Sequence, residues 1–180
     1  MHKKKPIVQI IDTTRLQGKQ FSLSDLADLR AILSDPEVMK YSLNGVYDEA
    51  ATREFIEWCM KCYHTHGFGP LAQIEKESSK LVGFCGIYPE KVGDVSEVGL
   101  GYRFAKNYWG KGLASESSKA IVDFAFSEKK VNSIVVIVEP EHIASIRVAE
   151  KAGFSGFEII EFNGRLVRLY RLNRSEWKNV

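Results

Sequence analysis

From Ser133 to Val138 the chain is almost entirely β-branched. A run of that kind suits a strand covered on both faces, not one that alternates between core and water. Helical patterns lie on either side of it. Ser115–Lys129 directs Ser118, Ile121, Val122, Ala125 and Phe126 to one side. Ile143–Lys151 is followed by Gly153, at the position where a helix end favours a left-handed residue, with Phe154 next to it for the accompanying apolar contact. A strand enclosed in this way requires a layered α/β fold, a mixed sheet with helices on both sides.

The remaining elements fit that plan. Ile7–Asp12 is expected as a first strand. A helix opens at Ser24-Asp25, carries Leu26, Leu29, Ile32 and Leu33 on one face, and stops near Asp35-Pro36. A second helix is expected from Asp48 through Cys62. Leu71–Glu75 and Leu81–Tyr88 read as a hairpin, with Pro89–Asp94 leading into a strand over Val95–Phe104. Along that strand Glu97, Gly99, Gly101 and Arg103 share one face, and Val98, Leu100, Tyr102 and Phe104 the other. Two glycines on one face leave room for another group to approach the backbone. Asn163-Gly164, between Phe157–Phe162 and Arg165–Leu172, signals a type I′ hairpin.

A chain of 180 residues can bury roughly 70% of its surface, so one domain over 1–180 is expected, with a basic tail at 1–6. The net charge of +2 predicts no strong hold on nucleic acid or membrane. The longest aliphatic run, Ile134–Val138, is too short to span a bilayer. Three cysteines without an export signal point to a reduced, cytoplasmic protein. Cys59, Cys62, His64 and His66 resemble zinc ligands in type, but they crowd into one helical stretch; packing of the cysteines is expected and no metal. Arg165, Arg168, Arg171 and Arg174 on the last strand read as a solvated face.

The chemistry concentrates where a strand turns into a helix. Asn107-Tyr108-Trp109-Gly110-Lys111-Gly112-Leu113-Ala114 places two glycines one residue apart, immediately before a helix. Such a turn exposes successive N–H groups at the positive end of the helix dipole, which makes an anion site suited to a phosphate or pyrophosphate. Ser115 stands where the dinucleotide fingerprint has a third small residue, and no Gly-Lys-Ser/Thr is present, so neither of those nucleotide loops is matched.

Gly101-Tyr102-Arg103-Phe104, then Tyr108 to Glu116, then Ile143 to Phe154 together resemble the GNAT superfamily of N-acetyltransferases, in particular the branch that acetylates the N-termini of ribosomal proteins. The resemblance implies a mixed, mostly antiparallel sheet of about seven strands with one splayed pair, flanked by about four helices. It implies acetyl-CoA as co-substrate. Tyr102, Arg103 and Phe104 would offer backbone groups to the pantetheine arm, and Gly110, Lys111, Gly112, Leu113, Ala114 and Ser115 would hold the pyrophosphate. Two positions depart from the family's habit: His142 stands where Asn usually opens the last helix, and Asn107 where Gln or Arg begins the loop. His is a poor N-cap.

Acetyl transfer requires a neutral amine. At pH 7 a terminal α-amino group is roughly 10% neutral, whereas a lysine amine is under about 0.1%. Glu97 is the expected base, although it lies one same-face step, about 7 Å, behind the strand glutamate frequent in the family. Ser145 matches the family serine near the coenzyme sulfur and is the expected donor to the leaving thiolate. The acceptor, a protein N-terminus or a small-molecule amine, is expected between Tyr41–Asp48 and the terminal hairpin. The alternative is a coenzyme-binding regulatory module without efficient catalysis. The enzyme is expected as a monomer or homodimer.

Overall fold

The computed structural model describes residues 10–177. The expected tail at 1–6 and the first part of the expected strand at 7–12 lie outside them. In chain order the elements are β1 (Ile10–Asp12), β2 (Leu16–Gln20), α1 (Leu26–Leu33), α2 (Glu49–His66), β3 (Leu71–Glu75), β4 (Leu81–Val92), β5 (Val95–Phe104), α3 (Leu113–Ser127), β6 (Ser133–Val138), α4 (Ile143–Lys151), β7 (Phe157–Phe162) and β8 (Arg165–Asn173). They build an eight-stranded sheet of order β1-β2-β3-β4-β5-β6-β8-β7. Every neighbouring pair is antiparallel except β5 and β6.

Helices cover both faces. Beneath α3 and α4 the core contains Ile87, Leu100, Ile121, Phe126, Ile134, Val136 and Phe154, all nearly inaccessible. Beneath α1 and α2 it contains Phe21, Leu29, Leu33, Ile56 and Cys59. The β-branched run of β6 lies between neighbours on both sides, with Ile134, Val135, Val136 and Val138 buried, as a strand covered on both faces requires.

Local chemistry sets several boundaries. Asp48 caps α2 by accepting from the Ala51 amide at 2.8 Å, and Gly67 ends it in the left-handed region at φ +72°. At the β7–β8 turn Asn163 and Gly164 take φ +50° and +76°, the pair of positive values that a type I′ turn needs.

Two differences from the sequence reading have physical causes. Leu16–Gln20 forms a strand that was not expected. Its sequence Leu-Gln-Gly-Lys-Gln is mostly polar, yet Leu16 is buried against Val82, Phe104 and Leu113, and Gly18 between β1 and β3. The second strand of the β3–β4 hairpin continues past Tyr88, through Pro89, to Val92. β3 pairs with β4 only as far as Cys85, so beyond that point β4 has a free side where proline's missing N–H costs no ladder bond.

Candidate active site

The loop between β5 and α3 is shaped by two glycines in the left-handed region, Gly110 at φ +74° and Gly112 at φ +78°. The first helical amide to reach a carbonyl is that of Glu116, on Gly112. Among the described residues the amides from Gly110 to Ser115 donate to no carbonyl or side chain of the chain, so they stand open together at the N-terminus of α3. Two contacts fix the loop. The Trp109 indole donates to the Phe104 carbonyl at 2.8 Å, tying the loop to the end of β5. Arg15 Nη1 donates to the Lys111 carbonyl at 2.8 Å, while its Nε meets Glu116 at 2.7 Å.

Glu116 also accepts from Thr13 Oγ1 at 2.7 Å and from the Arg15 amide at 2.8 Å. Burial pushes its carboxyl upward, but these hydrogen bonds and the guanidinium outweigh burial and hold it below the usual range. Arg15 is therefore a loop-organising residue that sequence reasoning missed; its partners are about a hundred positions away, and no local signal marks it.

The same loop borders a cleft of about 1040 Å³. The cleft exists because β5 and β6 part. Their register holds one pair, Gly99 with Val135, after which Leu100–Phe104 and Val136–Val138 diverge and line the gap. At the α4 side of the gap the Tyr102 hydroxyl donates to the Ser145 carbonyl at 2.9 Å and lies 2.9 Å from Ser145 Oγ. Burial pushes the Tyr102 phenol well above its ordinary value, so it stays protonated at neutral pH. The structure thus brings Tyr102, Ser145, His142, Phe104, Gly110, Gly112, Leu113, Ala114 and Ser115 to one cleft. Asn107 and Lys111 do not line it; the Lys111 amine lies 5.0 Å from the centre of the Tyr108 ring. The Phe104 carbonyl is already taken by Trp109.

Glu97 does not line the cleft, contrary to expectation. Arg171 holds both of its oxygens, Nη2 to Oε1 at 2.6 Å and Nη1 to Oε2 at 2.9 Å, and the Glu97 side chain is only 10% exposed. Nor does the face of Gly99 and Gly101 stand empty. A Cβ on either glycine would meet the ring of Tyr88 at 3.0 or 2.8 Å, so the space is filled by that ring. Tyr88 and the next same-face residue, Glu90, line the cleft instead.

The wall opposite α4 is aromatic. Trp58 of α2 meets Tyr88 with ring centres 5.8 Å apart, and Phe55 meets Phe84 at 5.0 Å. His142, at the N-cap of α4, makes no capping bond and stacks on Tyr41 at 4.1 Å. Burial first, then the charges of Arg103 and Lys40, hold its imidazole below the ordinary histidine range. It is therefore uncharged at pH 7.

Cys59 and Cys62 are buried in the core of α2, whereas His64 and His66 are exposed, so the four do not converge. Burial raises the Cys59 thiol, and raises the Cys85 thiol to about 11. Among the described residues no helix is long and apolar enough to cross a membrane.

Comparison with known proteins gives one consistent picture. The family model described as Acetyltransferase (GNAT) domain matches residues 15–155. The uncharacterized protein YkkB of Bacillus subtilis is 33% identical over 142 residues, covering 78% of this chain and 82% of its own. A GNAT-family acetyltransferase of Bacillus anthracis superimposes with a TM-score of 0.78 at 27% identity, covering 93% of this chain and 99% of that one. RimL, a ribosomal L7/L12 α-N-protein acetyltransferase solved with coenzyme A, shares the fold at a TM-score of 0.71 and 19% identity, covering 92% and 98%.

Proposed function

We propose, from the premise that this chain belongs to the GNAT acetyltransferase family, that its single domain moves the acetyl group of acetyl-CoA to a primary amine, of a protein N-terminus or a small molecule, by direct attack on the thioester. One observation carries the reading. The open amides from Gly110 to Ser115 sit at one end of the gap between β5 and β6, and the Tyr102–Ser145 pair lines the same gap. A diphosphate on the amides and an acyl-bearing arm along the gap use both features.

The residues divide the work. The α3 N-terminus and the glycine turn bind the anion. β5, freed from β6 beyond Gly99, offers backbone groups to the arm. His142 takes the proton that the attacking ammonium must lose, directly or through a water. As the carbon–nitrogen bond forms and the carbon–sulfur bond breaks, the hydroxyl of Tyr102 or Ser145 gives its proton to sulfur and is reprotonated by the second proton that the new amide nitrogen sheds. Glu90, on the cleft wall, attracts a cationic amine.

The test is thiol release from acetyl-CoA across a panel of primary amines, with coenzyme binding measured in parallel. Turnover on at least one amine is expected. Tight coenzyme binding without turnover on any amine would support the regulatory-module alternative instead. The cytoplasm, where acetyl-CoA and amines are both present, is the proposed location.

A further inference from the structure

Of the cations that line the cleft without an ion pair among the described residues, Lys40, Arg147 and Lys151 are exposed and Arg103 is partly buried. Arg103 lies on the face of β5 opposite Tyr102, and its side chain crosses to the segment after α1. There Nη1 reaches the Val38 carbonyl at 3.4 Å and contacts the sulfur of Met39. Among the described residues no carboxylate comes within ion-pair distance of it; of the carboxylates that line the cleft, Glu37 and Glu139 are paired with Lys106 and Arg165, and Glu90 and Glu141 form no ion pair with it. Nε and Nη2 make no hydrogen bond in the chain, yet they are not sealed from solvent, so these donors open into the cleft that Arg103 lines. The groups that face it are Tyr47, Tyr88 and His142; burial holds the Tyr88 phenol protonated and keeps the His142 imidazole uncharged at neutral pH.

Burying a guanidinium without an anion is costly, and the cost is recovered when a ligand brings one. A guanidinium also offers its donors as a planar fork that matches a carboxylate. The site of the anion follows from strand geometry. Neighbouring residues of β5 point to opposite faces, so Tyr102 addresses α4 and Ser145 while Arg103 addresses α1, α2 and the aromatic wall of Trp58 and Tyr88. Arg103 thus stands on the side away from the proton donors, where an acceptor has room.

We propose that Arg103 selects, as acceptor, an amine that also carries a carboxylate, in the manner of a free amino acid, and that it pairs with that carboxylate while the amine faces the thioester. The proposal rests on the acetyltransferase reading above and narrows its acceptor class.

The experiment measures thiol release with matched pairs of L-amino acids and their C-terminal amides, phenylalanine and methionine among them, on the full-length protein, together with direct binding of acetyl-CoA. The wild type is expected to favour the acid over its amide by at least tenfold in kcat/KM. In Arg103→Gln that ratio falls toward one, and in Arg103→Lys, which keeps the charge but not the fork, it is intermediate. Thermal unfolding of each variant checks that the fold is kept, and the ratio is read within one protein, so a general loss of stability cannot mimic the effect. Amides accepted as well as acids, or a ratio unchanged in Arg103→Gln, overturns the acceptor assignment and leaves the reaction standing. Failure of the wild type to bind acetyl-CoA, or to release thiol with any amine, overturns the reaction and the assignment with it.

Discussion

Arg171 closes on Glu97 as a two-pronged clamp, with N–O distances of 2.6 and 2.9 Å, across the intervening strand β6. The hydrogen bonds that it donates to Glu97 raise the Arg171 guanidinium further above its ordinary value. This pair fastens the β5 side of the sheet to the β8 side at the level where β5 and β6 begin to part. Glu97→Gln is therefore expected to lower stability by about 1–2 kcal/mol, less than a fully buried pair because Arg171 is partly exposed. The acetylation rate of the folded enzyme should stay within about threefold. Melting curves and steady-state kinetics check both; a hundredfold rate loss with an unchanged melting temperature would return Glu97 to the chemistry.

Gly112 sits at φ +78° with its amide among the open donors. Gly112→Val forces a β-branched residue into the left-handed region, at a cost of roughly 1–3 kcal/mol unless the loop rearranges. Either outcome turns amides away from a common point. Acetyl-CoA affinity, followed by calorimetry, is expected to fall at least thirtyfold, with the sheet and its far-UV signature preserved.

Tyr102→Phe removes the hydroxyl that bonds Ser145 and leaves the ring in place. If the phenol supplies the proton to the leaving sulfur, kcat drops by roughly 100-fold, the usual size of a general-acid contribution. KM for acetyl-CoA changes much less. An unchanged kcat at saturating substrates contradicts the assignment.

His142 is held neutral by burial and by the nearby cations Arg103 and Lys40. Its folded pKa is depressed, so between that value and about 6.5 the unfolded chain binds the extra proton. Stability is then full above about pH 6.5 and declines as pH falls through the window. His142→Asn should remove this contribution to the acid-side decline. It should also add about 0.5–1 kcal/mol at neutral pH by capping α4. As proton acceptor, the imidazole predicts at least a tenfold loss of kcat in the same variant. Melting curves from pH 5 to 8 and the rate at pH 7 separate the two effects.

Much of this arrangement is legible in the sequence where the signal is local. α4 runs over Ile143–Lys151 and Asn163-Gly164 turns a type I′ corner because cap and turn chemistry lie within a few residues. The open amides at Gly110–Ser115 follow from two glycines and a helix start. What escaped reading depends on distant partners. β2 hides because Leu16 is buried only by the distant Val82, Phe104 and Leu113, and Gly18 only by pairing with β1 and β3. The alternation of β5 is legible at Glu97, but not the residue that meets its carboxylate: Arg171 arrives from β8 through a strand order that no local pattern encodes. The same is true of Tyr88 over Gly99 and Gly101, and of Arg15 beneath the glycine turn.

The most direct test is a crystal structure with acetyl-CoA bound. The account predicts a diphosphate against the amides from Gly110 to Ser115 and a thioester in the gap between β5 and β6, within reach of the Tyr102 and Ser145 hydroxyls. A coenzyme docked elsewhere, with those amides facing only water, would contradict it.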